Sequence, residues 1–332
     1  MKAMLLQKHA PIEDAPLECA EVPTPAPARD EVRVRISACG ICHTDLHVIE
    51  GELPEGKLPI IPGHQIVGSV DVVGEGVSRL GVGDRVGIPW LYSTCGQCAY
   101  CKSGRENLCE NARFTGYDVD GGYAEYVSVS QDFAYRIPEG YPDVQAAPLL
   151  CAGVIGYRAL RLSGAEPGCR LGLYGFGASA HIVIQVARYR GCEVYVYTRG
   201  AGHQDLAWRL GASWVGRAED GKPGILDNAI IFAPAGGLVP HALKALRRGG
   251  TLALAGIYMT PIPQMDYRLL YHERTVRSVA NSTRQDVIEL LELAPKASVH
   301  TEVQAFSLEE ANEALMLLKA GKIEGAAVLG IS

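Results

Sequence analysis

Cys95, Cys98, Cys101 and Cys109, in the run TCGQCAYCKSGRENLC, constrain this chain more than any other feature. Three thiols at steps of three, then one after a short loop, can fold around a single ion. Four thiolates suit tetrahedral Zn²⁺ at about 2.3 Å each and leave no open position, so the spacing reads as a structural metal site. Such a site pins its loop and contributes local folding energy. The spacings depart from the common ferredoxin runs, which counts against an iron–sulfur cluster. The 10 cysteines are accompanied by no signal-peptide pattern and no membrane-length apolar run. The expected compartment is therefore the cytoplasm, where thiols stay reduced and patterned cysteines mean metal or catalysis.

The 332 residues suggest two domains, since single cores seldom grow that large. A hydrophobic fraction of 48% excludes long disorder, and a net charge of −6 argues against a nucleic-acid partner. The first part of the chain reads as short strands separated by Gly and Pro: EVRVRISA, IVGSVDVVG, DRVGIPW and YAEYVSV. That spacing suggests a small barrel or distorted sandwich. From Arg170 onward strands alternate with helices, as in RLGLYGFG, ASAHIVIQVARYRG and CEVYVYT, which implies a parallel sheet covered on both faces. Between Trp214 and Asn228 the chain is short and contains Gly-Lys-Pro-Gly, so a helix there is expected to shrink to a loop. Near the end, Ser307 and Glu310 have capping-box spacing before a helix.

A second set of metal-ligand types is dispersed: Cys42 and His43 in CGICHTDLH, His64 in PGHQIVG, and Cys151 in LLCAG. Each alone is a weak signal. Together with Gly63-His64-Gln65-x2-Gly68-x5-Gly74-x2-Val77, the cysteine-rich lobe and DGGYAEY, the sequence resembles the zinc-containing medium-chain alcohol dehydrogenases over nearly its whole length. Gln65 stands where that family has Glu, a departure that changes the local charge by one unit.

The resemblance implies an α/β fold in which a Rossmann doubly wound parallel sheet is inserted in a GroES-like β-barrel catalytic domain. Residues 1–153 and 296–332 would form the catalytic domain, with the structural-zinc lobe at about 90–112, and residues 154–295 the Rossmann domain. It also implies that Cys42, His64 and Cys151 hold a catalytic zinc with a fourth position open, and that Cys39 is a neighbour. Asp45 would orient His64, and Thr44 and His47 would relay the substrate proton. Trp90 matches an aromatic wall of the substrate pocket, and Arg284 a contact to the cofactor phosphates. Cys19, Cys39, Cys169 and Cys192 are expected to be plain core or surface residues.

The segment Gly175-Phe176-Gly177-Ala178-Ser179-Ala180 follows a strand and opens a helix, a G-x-G-x-x-A dinucleotide fingerprint. Gly175 serves the tight turn, Gly177 the approach of a pyrophosphate, and Ala180 close packing of helix on sheet. The next strand ends in Thr198 and Arg199, where an NAD-binding chain would carry an acid. With no carboxylate to repel a 2′-phosphate and a guanidinium to pair with it, NADP(H) is expected over NAD(H), with His203 nearby. The expected activity is zinc-dependent interconversion of an alcohol and an aldehyde or ketone by hydride transfer, with two Zn²⁺ per chain. A quinone or enone reductase on the same scaffold and a non-catalytic nucleotide sensor are the alternatives. The expected partner is a small-molecule substrate, with neither nucleic acid nor membrane, in a homodimer or homotetramer.

Overall fold

Val32, Val34 and Ile36 alternate with less buried neighbours along the strand Glu31–Ile41, the period of two expected of a sheet with one face in a core. In the computed structural model, which describes residues 1–54 and 56–331, this strand is the centre of the first of two compact units. That unit comprises Met1–Cys151, Ser282–Glu292 and Thr301–Ser332. Glu31–Ile41 pairs antiparallel with Gln65–Val73, with Tyr126–Ser130 and with Ala326–Gly330. The sheet continues through Arg85–Ile88 to Tyr135–Arg136 on one side and to Val303–Ser307 on the other. The C-terminal strand thus lies beside the N-terminal CGIC segment, with Leu329 opposite Cys39 and Ala327 opposite Ile41. Ser307 and Glu310 form the expected capping box, Ser307 donating from its amide and hydroxyl to Glu310, ahead of the helix Ala311–Lys319. The core is aliphatic, built on Leu6, Ile49, Ile60, Ile66, Ile88 and Leu315.

The second unit, Ala152–Asn281 and Leu293–His300, holds a parallel sheet of six strands. Their order is Trp214–Gly216, Glu193–Tyr197, Arg170–Tyr174, Leu226–Ile231, Leu246–Leu254 and Thr275–Ser278, the doubly wound arrangement. Leu171, Leu173, Ala229 and Ile230 are wholly buried, as in strands covered on both faces. The helices Ala152–Ser163 and Ala178–Tyr189 pack at Gly156, where a Cβ would come within 2.4 Å of Val183. The connection from Trp214–Gly216 to Leu226–Ile231 carries only the single 3₁₀ turn Ala218–Asp220, as its shortness foretold. Aromatic rings cover sheet there: Tyr174 stacks on Tyr197 at 4.2 Å, and Trp214 lies 4.9 Å from Tyr197. Among the described residues, no helix is long and apolar enough to cross a membrane.

Candidate functional site

Cys42 ends the first unit's central strand and caps the helix His43–Glu50. Its sulfur accepts the Thr44 amide at 3.3 Å, and its own amide donates to Asp45 Oδ2 at 2.9 Å. The other oxygen of Asp45 lies 2.9 Å from His64 Nδ1, so one carboxylate caps the helix and holds the imidazole. His64 follows Gly63, whose φ of +97° and contact with the Tyr123 ring, 2.4 Å from where a Cβ would sit, exclude a side chain. Cys151 comes from the far end of the unit, after the 3₁₀ turn Ala147–Leu150.

Both Cys42 Sγ and Cys151 Sγ are 3.3 Å from His64 Nε2, and the three ligand atoms lie within 4.8 Å of one another. A tetrahedral zinc would separate nitrogen from sulfur by about 3.5 Å, so these residues fit one ion and leave a fourth position. The Asp45 bond makes Nδ1 the donor and Nε2 the ligand. Burial alone would lower the His64 imidazole, but Asp45 and Cys42 overcome it and bring it up to about 10. The hydrogen bond with Cys151 draws the Cys42 thiol well below its ordinary value despite burial, with help from His64 and Thr44. Cys39 stands apart, buried in the core with its thiol pushed up by burial. The other three cysteines outside the metal groups are Cys19, which is exposed, and the buried neighbours Cys169 and Cys192, 3.4 Å apart.

The second cysteine group closes on itself. Its Sγ–Sγ separations are 3.5 Å for Cys98–Cys101 and Cys95–Cys109, and 3.9 Å for Cys95–Cys101. Four thiolates around zinc would stand about 3.8 Å apart, so this set also fits. Backbone amides point at the sulfurs: Cys98 N–H at Cys95, Cys101 N–H at Cys98, and Cys95 N–H at Cys109. The amides of Gln97 and Cys98 bring the Cys95 thiol down to about 6, toward the thiolate a metal requires. Within the lobe, buried Glu106 accepts the Arg284 amide at 2.9 Å and lies 3.5 Å from Arg284 Nε. Arg284 therefore sits in the first unit, its guanidinium over the Phe133 ring.

Thr44 and His47 share the helix that Asp45 caps, both partly exposed. His47 Nδ1 meets Glu52 Oε2 at 2.5 Å. Trp90 touches the metal group directly, edge-on to His64 with ring centroids 4.8 Å apart. Phe114 stacks on Trp90 at 5.2 Å, and Tyr117 lies 5.9 Å away. Sequence reading missed Phe114, Tyr117, Glu52 and Glu106. No sequence motif marks the two aromatics; the short strand pairing of Leu91–Ser93 with Arg113–Phe114 is what carries Phe114 toward Trp90. Gln65, wholly buried behind His64, lies over Gly40.

In the second unit, Gly175 has φ +86°, and a Cβ there would press on Ala233 at 2.9 Å. Gly177 caps the helix Ala178–Tyr189, and nothing lies within 4 Å of where its Cβ would be. Ala180, in the first turn of that helix, is completely buried. Helix N-termini of this kind attract anions through their exposed amides and dipole. Thr198 is buried, its amide bonded to Gly216 and its carbonyl to Gln204. Arg199 is exposed just before the helix Ala201–Arg209, whose first turn holds no acid, and His203 lies in that turn.

The family described as alcohol dehydrogenase GroES-like domain matches residues 28–139, and that described as zinc-binding dehydrogenase matches residues 180–296. A probable alcohol dehydrogenase of Mycobacterium tuberculosis is 49% identical over 99% of this chain and 97% of its own length. A cinnamyl alcohol dehydrogenase of Sorghum bicolor superposes with a TM-score of 0.92 at 29% identity, covering 99% of this chain and 97% of that one. The CAD of Helicobacter pylori complexed with NADP(H) does so with a TM-score of 0.88 at 26% identity, covering 99% and 97%. With both domain families in sequence and the two cysteine groups in place, this chain belongs to the zinc-containing medium-chain alcohol dehydrogenase family.

Proposed function

We propose that this protein interconverts an alcohol and an aldehyde or ketone by hydride exchange with NADP(H), using a catalytic zinc held by Cys42, His64 and Cys151 and a structural zinc held by Cys95, Cys98, Cys101 and Cys109. The observation that carries this reading is the convergence of two thiols on His64 Nε2 with Asp45 behind the ring. Zinc bound there supplies Lewis acidity to the substrate oxygen. Asp45 holds His64 in the ligating tautomer and so keeps the site in register. Thr44, two residues beyond Cys42, takes the hydroxyl proton of the alcohol, and His47 passes it on to water. Trp90 with Phe114 and Tyr117 forms an apolar wall that selects small or slender substrates.

On the second unit, the backbone at Gly175, Gly177 and Ala180 receives the dinucleotide pyrophosphate. Thr198, Arg199 and His203 receive the 2′-phosphate, a reading supported by the acid-free first turn that follows them. The family resemblance assigns Arg284, whose Nε lies 3.5 Å from Glu106, to the cofactor phosphates. The complete ligand set and relay weigh against the quinone or enone reductase and the nucleotide sensor. A panel of small alcohols, aldehydes and polyols, each with NADPH and NADH, tests the assignment. Turnover of enones alone, or equal kcat/KM for the two cofactors, would overturn its respective part.

The assembly is assigned as a homodimer or homotetramer. In support, Thr275–Ser278 is a largely exposed edge strand, and the same unit exposes Ile257, Ile262, Tyr267 and Tyr271. Light scattering on the eluting protein measures this directly, and a monomer would refute it. The metal-ready cysteines suit a reducing compartment and support our proposal of a cytoplasmic location.

A further inference from the structure

The helix His43–Glu50 ends in a turn that reaches back to its own catalytic face. Gly51 adopts φ +72°, ψ +27°, a left-handed conformation that glycine takes without strain. Its amide donates to Val48, and the amide of Glu52 donates to the His47 carbonyl at 2.9 Å, the paired bonds of a Schellman cap. The second bond ties the backbone of Glu52 to His47. The side chain follows, and Glu52 Oε2 comes to 2.5 Å from His47 Nδ1. The imidazole is only 14% exposed on the side-chain scale and Glu52 45%, so the pair lies where the helix end meets solvent.

The other carboxylates of this helix, Asp45 and Glu50, are engaged elsewhere. Glu50 pairs with Lys319 at 2.8 Å and accepts the Ile12 amide, and Lys319 also holds Glu13. His9 packs against Gly51, its ring 3.0 Å from where a Cβ would sit. His43, exposed at the helix start, stands one turn before His47 and close enough for the two imidazoles to repel when both are charged. Glu52 is thus a carboxylate directed at His47 Nδ1.

We propose that Glu52 is a positioning residue for the proton relay, fixing His47 as the Nδ1–H tautomer so that Nε2 is the basic atom. The role rests on His47 being the relay terminus. A carboxylate on one ring nitrogen orients the ring and raises the basicity of the other. His47 Nε2 then accepts the proton arriving from Thr44 and releases it to water, with Nδ1–H remaining on Glu52 throughout. A purely structural Glu52 would influence the turn but not the ring's protonation.

The test uses the zinc-loaded enzyme with Glu52→Gln, Glu52→Asp, His47→Gln and the Glu52→Gln, His47→Gln double variant. The primary readout is the tautomer of His47, read from the ¹⁵N chemical shifts of isotope-labelled histidine. Loss of the carboxylate in Glu52→Gln should reduce the Nδ1–H population. The kcat for alcohol oxidation should fall about threefold, at unchanged KM and zinc content. Glu52→Asp should recover part of both effects. In the His47→Gln background, Glu52→Gln should have no further effect. An unchanged His47 tautomer in Glu52→Gln, or an equal loss of kcat with and without His47, would overturn the proposal while leaving the relay intact. A His47→Gln enzyme with wild-type kcat would instead remove the relay, and this role with it.

Discussion

Asp45 bridges Cys42 and His64: one of its oxygens accepts the Cys42 amide and the other meets His64 Nδ1, each at 2.9 Å. The carboxylate and the imidazole are both closed off from solvent, with 1% exposure each. Burial pushes the Asp45 carboxyl up, and the His64 imidazole opposes that shift. The helix cap and the metal ligand therefore depend on the same side chain.

Replacing Asp45 with Asn keeps the shape but gives one arm an N–H₂ group. That arm would face either the Cys42 amide or the Nδ1–H of His64, donor against donor. Zinc affinity at the catalytic site should fall by about 10–100-fold, as competition with a chromophoric chelator would measure. Undiminished affinity would show that Asp45 does not orient the ligand.

Metal content separates the two cysteine groups. The wild-type chain should carry two zinc ions, and Cys101→Ser should leave one, by elemental analysis of dialysed protein. Because the lobe's metal contributes folding energy, this variant should also melt lower by about 5 °C or more. Cys42→Ser should instead abolish alcohol oxidation while the lobe keeps its zinc.

Arg199→Ala should raise KM for NADPH roughly 10-fold or more while leaving KM for NADH nearly unchanged, the loss expected for a charge-assisted pair. Initial rates with each cofactor at saturating alcohol decide this. A parallel rise for both cofactors would mean that Arg199 does not touch the 2′-phosphate.

Gly40 is a packing requirement of Gln65. A Cβ at Gly40 would come within 2.9 Å of Gln65 Cδ in a buried site next to His64. Gly40→Ala should therefore destabilise the protein by about 1–3 kcal/mol in urea unfolding. Shortening the neighbour as well, in Gly40→Ala with Gln65→Ala, should restore part of that loss.

Much of the site was readable because its signals are local. The steps of three in Cys95, Cys98 and Cys101 already match one ion, and Gly175 to Ala180 announce a phosphate turn between strand and helix. Other features resisted. Spacing leaves Cys39 and Cys42 equivalent in CGIC, and the resemblance alone tells them apart; the physical reason is tertiary, with Cys39 turned into the core opposite Leu329 and Cys42 just past the strand end. Glu52 reads as an ordinary surface acid until the reversal at Gly51 returns it to His47. Phe114 and Tyr117 become neighbours of Trp90 only when the lobe closes.

By itself, the sequence determined what depends on neighbours along the chain: the strands and helices, the glycine turn, the helix caps and the four-thiol lobe. The tertiary structure decided which distant side chains meet. Cys42 and His64 are 22 residues apart, His64 and Cys151 are 87 apart, and Arg284 and Glu106 are 178 apart. Those meetings follow from pairing strands and packing cores drawn from both chain ends. Such long-range closure is selected by the burial of the whole unit, which no short stretch of sequence encodes.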